Sequence, residues 1–156
     1  MSGENVTTVA GSELWVSATG PATNTKAGFE ACDWVKVGEI TDMGPVLGRE
    51  YNTSTYGPVD SAQQIEKKGS YKLGATEFKC GWDDDDEGQQ IVFAASENYS
   101  VPAFKVVKQN NALRYFTAQV SKFVEDMGSV DNTVMGSMTL LRQTDTIRVA
   151  APAPGP

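Results

Sequence analysis

The chain is 156 residues long, 40% apolar and 21% charged, a one-domain length with enough apolar material for a core. Twenty carboxylates against 13 basic groups give a net charge of −7 at pH 7, which argues against gripping nucleic acid through phosphate contacts. Histidine is absent and cysteine occurs only at Cys32 and Cys80, which removes the usual general base, most zinc sites and any Cys/His dyad.

In chain order, residues 1–11 are small and polar and read as an arm ahead of one domain over residues 12–148. Leu14-Trp15-Val16 gives a short strand, and residues 19–28, dense in turn formers, give a loop. Across residues 34–40, Val35 and Val37 face one way and Trp34, Lys36 and Ile40 the other, the spacing of a strand. Residues 49–68 carry Tyr51, Tyr56, Ile65 and Lys67 without a core-facing period. An irregular stretch of that length inside a domain is usually functional, so it is either an excursion that packs on another subunit or a surface loop.

Strand spacing resumes with Tyr71, Leu73 and Ala75, then shifts phase to put Phe78, Cys80 and Trp82 on one face. The acidic run from Asp83 to Glu87 opens a helix over residues 86–97, with Asp86 as N-cap and Gln89 at capping-box spacing. Negative charge there suits the helix dipole. A calcium loop starting at Asp83 would need a bidentate Glu at its twelfth position, where Ala94 stands, so a solvated helix start is preferred over a cation site.

Beyond the helix, residues 101–108 and 113–124 are strands joined by an Asn110-Asn111 hairpin turn, with Phe116, Ala118, Val120 and Val124 inward. Thr117, Gln119 and Ser121 face outward from it. A last strand over residues 132–141 turns Val134, Met138 and Leu140 inward and Thr133, Ser137 and Thr139 outward. Residues 149–156, rich in proline, are expected to be extended and disordered. Several period-two strands with one helix predict a mainly β fold, two packed sheets in a sandwich or partly closed barrel with the helix on its flank.

No apolar run approaches bilayer-spanning length and no signal-peptide layout is present, so folding in a cytoplasm is expected. Two buried thiols suit such a compartment better than a disulfide, though a pair fits the count as well. No catalytic constellation emerges: Ser121 and Ser137 have no base to activate them, and no cofactor or metal is expected.

The order of these pieces resembles the major tail tube protein of long-tailed bacteriophages of the lambda-like siphophage type. The resemblance runs over residues 14–142. It is carried by Leu14-Trp15-Val16, the Trp34-Val35-Lys36-Val37 strand and the tyrosine-bearing 49–68 segment. Gly81-Trp82-Asp83 leading through Gly88-Gln89-Gln90 into a helix, the asparagine hairpin and a late Gly128-Ser129-Val130-Asp131-Asn132 turn complete it. It implies a non-enzymatic virion protein of the tail, assembled in the host bacterial cytoplasm, with a fold similar to type VI secretion tube proteins. Copies would form hexameric rings stacked into a hollow tube around a tape-measure protein, with tail-tip and tail-terminator proteins as further partners. Double-stranded DNA would pass through without specific binding.

On that footing, Tyr51, Tyr56, Ile65 and Lys67 are candidates for contact with an adjacent ring. Lys36, Thr117, Gln119, Ser121, Thr133, Ser137 and Thr139 are candidates for lining the channel. A negative wall would give DNA little to hold, within a Debye length of roughly 8–10 Å. The alternative is a monomeric β-sandwich that binds glycan or peptide through Trp15, Trp34 and Tyr56.

Overall fold

A computed structural model describes residues 6–151. Its elements are β1 (Glu13–Ser17), α1 (Lys26–Glu30), β2 (Val35–Val37), β3 (Ile40–Asp42), β4 (Glu50–Tyr56), β5 (Ile65–Lys72), β6 (Ala75–Gly81), α2 (Glu87–Ser96), β7 (Ala103–Val107), β8 (Leu113–Asp126), β9 (Met135–Arg142) and β10 (Ile147–Val149). Strand β8 joins the two halves of the main sheet. Its first residues, Leu113 to Thr117, pair with β7, whereas Ala118 to Asp126 pair with β9. The result is one antiparallel eight-stranded sheet in the order β2-β1-β7-β8-β9-β6-β3, with β10 also on β8.

The edge strands β2 and β3 are consecutive in sequence, linked by Gly38 and Glu39, so the two ends of the sheet are brought round to each other. This is the mainly β, partly closed architecture that the strand pattern predicts. Where a single strand is expected over residues 34–40, Glu39 takes a left-handed conformation (φ 63°) and splits it into β2 and β3.

The core lies inside the curled sheet, built from Leu14, Val16, Val37, Phe78, Cys80, Phe104, Phe116, Met138 and Leu140 with Val92 and Ala95 of α2 packed onto them. Burial of each large side chain contributes roughly 1.5–3 kcal/mol. Burial also pushes the Cys80 thiol up to about 11. Both cysteines are free, and they belong to different clusters: Cys80 is in the core, and half-buried Cys32 is on the opposite face of the sheet.

That opposite face has a cover of its own. The expected 19–28 loop holds one turn of helix, α1, capped by the Thr25 hydroxyl accepting from the Gly28 amide. It buries Phe29 against Tyr115, rings 5.3 Å apart, beside Trp34.

A bulge between Val120 and Lys122 shifts the phase of β8. Phe123 therefore enters the core and Val124 is exposed, the reverse of the simple alternation. Trp82, expected on the core face with Phe78 and Cys80, is only half-buried at the rim. Val149, where the extended, disordered tail is expected to begin, belongs instead to β10 and pairs with Leu113; residues 152–156 lie outside the described residues, as do residues 1–5 of the arm.

Candidate functional site

Residues 50–72 form a two-stranded hairpin, β4 with β5, where an irregular segment is expected. The two strands pair with each other and with no other strand, and every residue of the pair is exposed except half-buried Tyr51. Seven or eight residues of strand give a reach of roughly 25 Å. Register places Tyr56 opposite Ile65 and Ser54 opposite Lys67, so Tyr56, Ile65 and Lys67 share one face. Tyr51 is on the other face, 5.3 Å from Tyr71 and under the Lys68 ammonium at 4.1 Å.

The base of the hairpin is clasped. Gly48 and Gly74 stand at its two feet with φ of 107° and 81°, conformations that favour glycine. The buried Arg142 guanidinium donates to the carbonyls of both Gly48 (2.8 Å) and Leu73, tying the two feet together. Thr146 donates to the Val46 carbonyl at 2.6 Å, and Arg49 pairs with Asp145 at 2.8 Å while lying over the Tyr71 ring.

At the far end of β6, α2 closes the seam between the sheet edges. The Asp86 carboxylate accepts from both the Gln89 amide (2.9 Å), as the N-cap, and the Gly38 amide (3.0 Å). Gln89 does not return to the amide of its cap, as a capping box would have it. Its buried side chain accepts from the Asp83 amide and donates to the carbonyls of Gly38 and Gly81 at 3.0 and 2.9 Å. Two other carboxylates of the run also serve the turn: Asp83 accepts from the Asp85 amide and Asp84 from the Trp82 indole. Beside this turn, Trp82, Asp83, Asp84, Gln90, Phe93 and Glu97 line an open cleft of about 330 Å³.

The candidate channel residues divide. Gln119, Ser137 and Thr139 lie on the outward face of the β8–β9–β6 half-sheet, among Lys79, Lys122 and Glu77. Ser121, exposed at the bulge, donates to the Thr139 carbonyl. Thr133 is exposed in the turn before β9. Lys36 is on edge strand β2, paired with Glu13 at 3.2 Å. Thr117 is buried and bonded to Thr144, so it belongs to none of the open faces. The alternative binding residues Trp15 and Trp34 flank the Lys105 ammonium at 4.7 and 5.2 Å instead of forming a free platform. Burial there lowers the Lys105 pKa, with Glu13 opposing the shift.

No family profile matches the sequence, and no curated protein matches it either. Solved structures do. A chain in the structure of an extracellular contractile injection system, a PVC sheath/tube terminator in the extended state, superposes with a TM-score of 0.65 over 94% of this chain and 99% of its own, at 11% identity. A chain of the anti-feeding prophage baseplate gives 0.61 over 98% and 100%, at 10% identity.

This is a tail-tube-like fold. A chain of the tail of an empty GTA particle, refined with helical C6 symmetry, gives 0.56 over 78% of this chain and 90% of its own, at 12% identity. Components of tails and injection systems thus share this fold over 78% to 98% of the chain, and at these identities the likeness is one of architecture. The lambda-like type implied by the sequence resemblance is narrower than this set.

Proposed function

We propose that this chain is a structural subunit of a tail-like tube, in which copies close into hexameric rings that stack around a channel. The observation that carries this is the hairpin of β4 and β5. It is exposed on both faces and both edges, yet anchored at its feet by the buried Arg142, so it is held out from the body in a fixed pose. A two-stranded hairpin without a covered face is marginal alone, and a neighbouring copy would supply what it lacks. The outward face carrying Gln119, Ser137 and Thr139, interspersed with Lys79, Lys122 and Glu77, is assigned to the channel.

Electron microscopy of the purified protein tests this. Rings or filaments are expected, and a particle that stays monomeric at every concentration and in the presence of initiating tail components would sink the proposal. Replacing residues 53–68 by two glycines keeps the feet and should leave a folded subunit that no longer stacks. The likeness to a sheath/tube terminator supports a second reading, a ring that caps a tube. Single rings that never elongate would favour it over a tube subunit.

A further inference from the structure

One row of paired residues crosses five strands on the core-facing side of the sheet: Val37 of β2, Leu14 of β1, Val106 of β7, Arg114 of β8 and Arg148 of β10. Its first three members are apolar core. Its last two are arginines directly opposite each other, and like charges so placed destabilise a sheet. Arg114 is only 9% exposed, and among the described residues its guanidinium donates to the Leu113 carbonyl alone, at 3.0 Å. Burial and then the Arg148 charge lower its pKa, with no carboxylate opposing the shift. The chain has no Asp or Glu between Glu97 and Glu125 or after Asp145. Carboxylates of neighbouring segments are engaged elsewhere, Glu13 with Lys36 and Asp145 with Arg49. Two adjacent guanidiniums, one of them sheltered, suit a pair of carboxylates that several N–H groups can bind at once.

The other end of the row carries the opposite charge. The first turn of α2 rests on Val37 through Gly88, and Val92 and Ala95 keep the helix on the same core-facing side. Asp83, Asp84, Asp85, Asp86 and Glu87 gather at its start, and no Lys or Arg occurs from Gly81 to Phe104. The lysines of adjacent strands have other partners: Lys36 pairs with Glu13, and Lys79 stands opposite Asp42. Asp83, Asp84 and Asp86 hold the turn together. The Asp85 and Glu87 side chains are exposed, and none of the hydrogen bonds or ion pairs among the described residues engages them. Four strand spacings put roughly 20 Å of sheet between the two ends of the row, so they cannot meet within one copy.

Resting on the tube-subunit reading, we infer that the Arg114–Arg148 pair of one copy receives Asp85 and Glu87 of a second copy in the same ring. Unlike surfaces at opposite ends of one row meet when a rotation carries each copy onto the next, and such a contact closes on itself once the rotations complete a turn. It is separate from the contact made by the hairpin: the hairpin joins ring to ring, and the arginines join neighbours within one. The ion pairs fix orientation and partner choice, and the second copy supplies the charge that Arg114 lacks at home.

Charge changes at both ends test the pairing. Arg148→Glu sets an acid against Arg114, so it should raise the melting temperature of the dispersed subunit. The same change should raise the concentration needed for ring closure at least about tenfold, measured by sedimentation velocity. Asp85→Lys with Glu87→Lys leaves the Asp86 cap in place and should weaken closure to a similar extent, whereas all three changes in one chain should recover most of the loss. In rings of Arg148→Lys, which keeps the charge, carbodiimide should couple position 148 to Asp85 or Glu87 of another copy, identified by mixing isotopically labelled and unlabelled protein. A subunit destabilised by Arg148→Glu, losses that simply add in the combined variant, or rings without that cross-link overturn the pairing and leave the tube reading standing. Arg148→Glu rings that close like wild type but no longer bind a short DNA duplex that wild-type rings retain would give the arginines to phosphate, and overturn it as well. Wild-type protein that never forms rings overturns both.

Discussion

Gly88 shows how closely α2 is fitted to the sheet. A Cβ at this position would run into the Lys36 carbonyl and come within 2.7 Å of the Val37 Cα, so only glycine lets the first turn of the helix seat on β2. In an exposed helix interior Gly→Ala gains about 1 kcal/mol. Here the clash involves backbone, which cannot swing aside, and Gly88→Ala is expected to cost roughly 2–3 kcal/mol instead. Urea unfolding decides the sign; a stabilised Gly88→Ala would show that the helix does not rest on β2. The neighbouring Asp86 and Gln89 were half legible. Their spacing announces a helix start, and Asp86 caps as the sequence predicts. Nothing local reveals that Gln89 serves Gly38, more than fifty residues earlier in the chain, because that contact exists only once the sheet has curled.

Period-two spacing reveals an element when one of its faces is buried, and this decides which strands could be read. β1, β6, β7 and β9 bury alternate residues and stand close to where the pattern puts them. The hairpin strands have tyrosine and threonine in good supply but no buried face, so their pattern is silent although their propensity is not. The bulge in β8 hides differently, by adding one residue that no composition signals and turning Val124 outward. The hairpin's pose is then a matter for Arg142, whose charge is buried to hold two backbone carbonyls. Arg142→Met keeps the stem and removes the donors, leaving those carbonyls without their partner at a cost of roughly 2–3 kcal/mol. The expected outcome is a folded body with a loosened hairpin: nuclear magnetic resonance order parameters should fall across residues 50–72 and hold in β6 and β9. Unchanged order in the hairpin would show that Arg142 is not its clasp.

For the molecule as a whole, the question is where backbone is left unpaired once the sheet has closed on itself. At the seam between β2 and β3, Asp86 and Gln89 take up the Gly38 amide and carbonyl, and the Gly81 amide donates to the Glu39 carbonyl at 2.8 Å. Among the open ladders are both outer sides of the hairpin and residues 121–126, which pair with β9 alone. Exposed edges of this kind are where further strands add. Hydrogen exchange therefore gives a map with a definite form. In dispersed subunits, amides of β6, β9 and the first half of β8 should exchange slowly, while the outer amides of β4 and β5 and half of those in residues 121–126 should exchange fast. On assembly, protection should rise at the hairpin and at residues 121–126 together, since stacking would cover the first and ring closure would continue the sheet at the second. Rings that form with the hairpin still exchanging freely would remove it from the contact between copies, and protection confined to residues 121–126 would describe a single closed ring with nothing stacked upon it.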